Sequence, residues 1–290
     1  MTSLAVMLLC LKTIGDTVVM SPTSPANMSG AIDSTLEAEG PIFIDHNDTI
    51  GSGSTNVNVL AQDEDLELVT HTGVNLNVRA NTVVVAASHG FTDNLDLSLV
   101  LPIVQENIDV RTTGALVGHT VVTFAGASDF VVRLKYRLLP WLSGLLKATF
   151  PTGNPANGLG TGEYFLSPGL AASKQLGPVQ LNGYVTYNVD LSFPSKSSLS
   201  YGTGIATQLY WPWLGGAVEF LGESGTGAED PLIILGTDYS QQHTFILAFG
   251  LRAVLPHSFM LFAAGSYALN TGGGLRARSV FPTIGIGGRF

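Results

Sequence analysis

The sequence predicts an all-β protein: an up-and-down antiparallel transmembrane β-barrel of about 12 strands. Three observations carry this. The 290-residue chain is 45% apolar but only 12% charged, where an ordinary soluble domain carries about 25% charged residues. No stretch reads as a spanning helix. Apolar residues recur at every second position, in segment after segment, between links that are alternately short and long.

The helix is excluded first. A helical span needs about 20 mostly apolar residues. Ser197–Val218 is uncharged but holds Gly202, Gly204, Pro212, Gly215 and Gly216. Ala253–Leu275 holds Pro256, His257 and the run Gly272–Gly274. Turn residues interrupt both. A closed sheet is the other way to pair every backbone group inside lipid.

Residues 1–65 are predicted to be an acidic, mostly irregular segment. Residues 1–80 hold ten of the 22 acids but only two of the 13 bases, Lys12 and Arg79. Such a polar, charged composition buries too little apolar surface to offset its ordering entropy. Leu4–Leu11 has the size of a signal-peptide core. It lacks a preceding cation and a following small-x-small site, so residues 4–11 are read as a degenerate export signal. Cys10 follows Met7-Leu8-Leu9 rather than a small residue, which disfavours a lipoprotein anchor. As a single thiol it also excludes an internal disulfide. The segment is expected to be a periplasmic tail, with a plug inside the barrel as the alternative.

Residues 66–290 are predicted to form the barrel. A first strand is placed near Leu66–Asn77 and eleven more from Thr82 onward. In Asp129–Leu138, Phe130, Val132, Leu134, Tyr136 and Leu138 face one way. Val131, Arg133, Lys135 and Arg137 face the other. A helix would scatter those cations around its circumference. Val179–Leu191 sets Val179, Leu181, Gly183, Val185, Tyr187 and Val189 against Gln180, Asn182, Tyr184, Thr186, Asn188 and Asp190. His243–Leu255 sets Phe245, Leu247, Phe249 and Leu251 against Thr244, Ala248, Gly250 and Arg252, and Phe259–Leu269 continues the pattern. Short links fall near Phe91–Asn94, Leu139–Ser143, Gln175–Pro178, Trp211–Leu214 and Leu255–His257. Long ones fall near Gln105–Ser128, Thr152–Thr161, Leu191–Leu199, Ser224–Gln241 and Thr271–Arg278. Tight turns at one end and long loops at the other describe a transmembrane barrel.

Placing the apolar face toward lipid turns the other face toward a lumen. The expected lumen-lining and selectivity residues are Arg133, Lys135, Arg137, Lys147, Gln180, Asn182, Tyr184, Thr186, Asn188 and Arg252. Asp190, Glu163 and Glu219 are the carboxylates expected to pair with the cations where these serve as scaffold. Trp141, Trp211 and Trp213 fall at short turns and Tyr136 near a strand end, as a membrane girdle requires. The chain ends on Phe290, in line with Gly288, Ile286 and Ile284 on one face, as an assembly signal would.

Other chemistries find little support. The six histidines show no zinc spacing, so no metal site is expected. No Gly-x-Ser-x-Gly elbow occurs, and Gly158–Glu163 lacks the Lys and helix of a phosphate loop. It reads as a flexible loop. A net charge of −9 without a basic patch argues against nucleic acid.

Several motifs together resemble one family. Asn81–Pro102 (NTVVVAASHGFTDNLDLSLVLP) resembles its strand–Gly-aromatic-Thr-Asp–strand–Leu-Pro hairpin, with His89 where that family usually has tyrosine. Asp129–Gly153 resembles its Arg-x-Lys-Tyr strand and Pro-Thr-Gly stop. Asn157–Gly162 resembles its glycine-rich loop, and Gly272–Phe290 its closing strand. The family is the outer-membrane barrel group named after the meta-cleavage pathway of phenol degradation. The resemblance covers roughly residues 70–290. It implies a bacterial outer-membrane channel or transporter through which small molecules diffuse, aromatic or apolar ones among them. The implied partners are outer-membrane lipid, the barrel assembly machinery and a small-molecule solute, with no cofactor and no enzymatic activity. The rival expectations are an outer-membrane lipid hydrolase and a soluble all-β lipid-binding protein.

Overall fold

The computed structural model describes residues 45, 47–69, 74–112, 118–157, 159–192, 197–225, 233–234, 237–238, 243–270, 275–277 and 281–290. The strands are β1 (Thr55–Val69), β2 (Val74–Thr92), β3 (Leu95–Thr112), β4 (Gly118–Ala127), β5 (Phe130–Leu139), β6 (Leu142–Phe150), β7 (Phe165–Leu176) and β8 (Val179–Asp190). They continue as β9 (Ser198–Gln208), β10 (Leu214–Gly225), β11 (Ile233–Ile234), β12 (Thr237–Asp238), β13 (His243–Leu255), β14 (Phe259–Asn270), β15 (Leu275–Ala277) and β16 (Phe281–Arg289).

Twelve strands close a ring in the order β1-β2-β3-β5-β6-β7-β8-β9-β10-β13-β14-β16. All pairings are antiparallel. Val59 of β1 pairs with Val85 of β2 on one side and Ile286 of β16 on the other, and this seals the barrel. Closure leaves no edge in the ring, so each wall strand can enter lipid with its backbone groups paired. β4 lies outside the ring and pairs with β3, while β11 and β12 form their own hairpin.

The alternation seen in the sequence becomes an inversion of the usual globular arrangement. Arg133, Lys135 and Glu219 are among the largest fully buried side chains. Leu134, Tyr136, Leu138, Val185, Tyr187, Phe249 and Leu251 are exposed. Such a contiguous apolar exterior requires an apolar surrounding, which excludes the soluble lipid carrier. Five short links stand at one end, at Asp93–Asn94, Pro140–Trp141, Gly177–Pro178, residues 209–213 and residues 256–258. The longest connections are at the other end.

Two sequence expectations are corrected. The first strand is not Leu66–Asn77, which straddles the end of β1 and the start of β2; the barrel begins at Thr55. Asn56, Asn58 and Gln62 look like loop residues but are buried on the inner face, alternating with outward Val57, Val59 and Ala61. Gln105–Ser128 is not a long loop either. β3 runs on to Thr112 and β4 returns from Gly118. Their outward Gln105, Asn107 and Asp109 are polar because this stretch rises beyond the apolar belt.

β4 continues into β5 through a bulge. Ile103 pairs with Ala127 and Val100 with Val131, so three steps along β3 match four along β4–β5. The extra residue falls at Ser128–Asp129 and re-aims the chain where the wall passes into the protruding hairpin.

Leu134 lies at the centre of the outward row of β5. Replacing it with arginine is expected to cost about 2–4 kcal/mol, the mid-bilayer figure for an outward cation. Reversible urea unfolding in phospholipid vesicles measures this, and a loss below about 0.5 kcal/mol contradicts the lipid-facing assignment.

Candidate functional site

The lumen is occupied at its short-turn end by Asp45 and residues 47–50 of the chain itself, followed by a turn at residues 51–54. Gly51 (φ 84°) and Gly53 (φ 73°) take left-handed conformations closed to most side chains, and Ser54 N–H donates to the Gly51 carbonyl at 3.3 Å. This turn reverses the chain from the lumen into β1. It presses on Gly90, where a Cβ would lie 2.0 Å from the Gly51 carbonyl oxygen. Arg289 of the last strand donates to the Ile50 carbonyl and to Ser54 Oγ, locking the turn to the end of the barrel.

From there the segment enters the barrel. Ile50 N–H donates to Asp96 Oδ2 at 3.4 Å, and Thr49 Oγ1 donates to the Asp93 carbonyl at 2.6 Å. Asn47 bridges three elements. Its N–H donates to Ser173 Oγ on β7, its side-chain amide donates to the Pro140 carbonyl, and its carbonyl accepts from Ser143 Oγ on β6. Asp45 is completely buried.

The predicted cations converge on this segment. Arg133 Nη1 and Lys147 Nζ contact the two oxygens of Asp45 at 2.9 and 2.8 Å. Arg133 Nη2 also donates to Ser98 Oγ at 2.8 Å. Lys135 donates to the Asp48 carbonyl and lies 3.8 Å from Asp96. Arg137 stands 3.7 Å from Asp48 Oδ1. Register explains the cluster, because Arg133 pairs directly with Lys147 and the two side chains share the inner face. Adjacent buried cations demand a shared anion. The sequence offered Asp190, Glu163 and Glu219; the structure adds Asp45, Asp48 and Asp96, each within 4 Å of one or more of these cations.

Asp45 and Asp48 escaped the sequence reading because they lie in a segment without periodicity. A spacing signal existed only for Asp96, which alternates with Leu95 and Leu97. The expectation of a tail outside the barrel does not hold for residues 45 and 47–50, which lie within it; residues 1–44 and 46 fall outside the described residues.

The other predicted residues are more dispersed. Gln180, Asn182, Tyr184 and Thr186 are buried on the inner face of β8. Lys147 Nζ lies 5.7 Å from the centre of the Tyr184 ring, within cation–π reach. Asn188 sits nearer the long-loop end and donates to Ser198 and Ser200. Arg252 is buried on β13, between Gly215 and Phe262 in the register. The interior is not polar throughout. Leu60, Val84, Val100, Val131, Leu145, Met260 and Phe262 join one buried apolar cluster, so the lumen is partly a packed core.

Two further features depart from expectation or extend it. The glycine-rich loop is clasped rather than loose. Asp129 accepts from Gly153 N–H at 3.1 Å, Thr161 N–H at 2.6 Å and Thr161 Oγ1 at 2.8 Å. Tyr136, Trp141, Trp211 and Trp213 are exposed at the short-turn end, where Trp211 and Trp213 stack with centroids 5.6 Å apart. Phe290 is exposed, and its backbone exchanges two hydrogen bonds with Thr55.

No protein-family model and no curated protein sequence matches the chain. Among solved structures it is similar to an outer membrane channel from Pseudomonas putida F1, at 18% identity and a TM-score of 0.61, over 86% of this chain and 100% of that one. It is also similar to the translocator domain of the autotransporter NalP from Neisseria meningitidis, at 13% identity and a TM-score of 0.57, over 94% of this chain and 97% of that one. Both likenesses are of fold. The chain thus has the fold of bacterial outer-membrane β-barrels, which its apolar exterior and closed sheet require.

Proposed function

We propose that the protein is a channel of the bacterial outer membrane through which small molecules diffuse, and that Asp45 and residues 47–54 are its periplasmic plug. The observation that carries this reading is the Asp45 ion-pair group. A barrel serving only as a scaffold has no need of a removable anion at its centre. Here Arg133, Lys135, Arg137 and Lys147 bind a segment joined to the wall through one glycine turn. When the segment leaves, the same cations line the opened lumen and favour anionic or polarisable solutes. Gln180, Asn182, Tyr184, Thr186 and Asn188 shape the adjoining wall on β8, two strands from Lys147, and Arg252 shapes it on β13.

In this reading Tyr136, Trp141, Trp211 and Trp213 form the inner-leaflet girdle in contact with lipid. Phe290 ends the strand that the barrel assembly machinery engages. Aromatic or apolar solutes are the class we favour, because the apolar layer around Leu60, Val100 and Phe262 offers such molecules contact inside the barrel.

Asp45→Asn removes the charge from a site where two buried cations meet, and breaking such a group costs about 3–5 kcal/mol. The variant is expected to conduct in planar bilayers at least about tenfold more than the native protein, with chloride favoured over potassium. Replacing Arg133 and Lys147 by methionine in the same background is expected to abolish the anion preference. Equal conductance of native and Asp45→Asn proteins contradicts the plug.

Phe290→Ser is expected to lower the amount of heat-modifiable barrel in isolated outer membranes while leaving refolding from urea into detergent intact. An unchanged cellular yield contradicts the assembly role.

A further inference from the structure

Through the membrane belt, outward positions are apolar, and the inward ones mix polar groups with a packed apolar layer. Above the belt, on β2, β3 and β4, the order reverses. Arg79, Asn81, Gln105, Asn107, Asp109, Arg111, His119 and Thr123 face outward, with Val121 and Ala125 the apolar exceptions. Arg79 pairs with Asp63 at 2.8 Å, and Asp109 holds both Arg111 at 2.8 Å and His119 at 2.9 Å. This outer surface belongs in water. The inner surface carries Ala80, Val104, Ile108, Val122 and Phe124. A sheet with one wet and one apolar face packs the apolar face on something.

Part of the cover comes from the clasped loop. Leu159 is buried, and it lies where a Cβ at Gly126 would come within 2.8 Å of its Cδ1. In the middle of the apolar face stands a carboxyl. Glu106 pairs directly with Ala80 on one side and Phe124 on the other, so all three side chains share the inner face. Glu64 of β1 is the register partner of Ala80. Glu106 is 8% exposed, and among the described residues it makes no hydrogen bond or ion pair. A carboxyl so placed is costly unless something pairs with it. Outward Gln105 and Asn107 flank it, so it lies beyond the lipid belt, and burial pushes it up to about 7.

We propose that the inner face of β2–β4 is a binding site, at the long-loop mouth of the barrel, for a small apolar molecule carrying one hydrogen-bond donor, a hydroxyl or an ammonium, accepted by Glu106. Half-buried Val104, Val122 and Phe124 supply the apolar contact, backed by buried Ile108 and Leu159, and the carboxyl supplies the selection. A site that pairs a buried polar group with the ligand's donor discriminates against the analogue lacking it, because the protein group is otherwise left unsatisfied. The proposal rests on the channel reading and names the class of solute for it.

The test is equilibrium binding to the full chain in phospholipid nanodiscs, with empty nanodiscs subtracted. The probes are phenethylammonium, 2-phenylethanol and ethylbenzene, similar in size and differing in the donor. The native protein is expected to bind the first two at least about tenfold more tightly than the third. Glu106→Leu is expected to abolish that preference while retaining ethylbenzene. Glu106→Gln, close in shape, is expected to lose the preference for the ammonium and keep the hydroxyl. Retained heat-modifiable mobility confirms that both variants fold. No preference in the native protein, or one that survives Glu106→Leu, overturns the site. Binding is read without flux, so a conducting Asp45→Asn protein that shows no donor preference sinks this proposal and leaves the channel standing. Donor-selective binding with no conductance does the reverse.

Discussion

Everything in this molecule follows from the absence of water in hydrocarbon. A backbone N–H or C=O exposed to lipid has no solvent to bond with, so the sheet must close on itself. Once the ring from β1 to β16 is sealed at Val59, the pleat assigns every side chain to one of two environments. In the membrane belt most leucines and phenylalanines go outward, and Arg133, Lys135, Lys147 and Asn182 go inward. The burial pattern is then the reverse of a soluble protein's, although the same hydrophobic effect produces it.

Closure raises a second problem, which is what the inward polar groups face. An open pore solvates them. Here part of the interior is filled, by an apolar layer and by the chain's own amino-terminal residues. Arg133 and Lys147, set side by side by the register of β5 and β6, share the carboxylate of Asp45. The Gly51–Ser54 turn brings that carboxylate back into the barrel. A covalently attached segment held by ion pairs depends on charge for its seating, which a packed hydrophobic plug does not.

The bulge at Ser128–Asp129 shows how one residue serves both halves of the structure. Below it β5 is membrane wall, and above it β4 belongs to a hairpin with the opposite polarity. Asp129, left free of the regular ladder, gathers the loop at Gly153 and Thr161 and so brings Leu159 over the hairpin's inner face. Without that break in register the wall would rise straight and the mouth would lack its apolar lining.

The period-two pattern by itself determined the class of fold, the strand number, the end that carries the tight turns and the direction in which Arg133, Lys135 and Lys147 point. Those are properties of a single strand and its two faces, so local order suffices to show them. Partners across the lumen were decided only by the tertiary structure. Asp45 lies 88 residues from Arg133 along the chain, and nothing in an aperiodic acidic stretch marks it as interior. The true start of the barrel at Thr55 was hidden for a related reason: Asn56, Asn58 and Gln62 are polar because they face inward, and polarity without a visible partner reads as a loop. Sequence fixes which face a residue occupies, whereas closure of the ring fixes what stands opposite, because the residues that meet across a lumen belong to strands far apart in the chain.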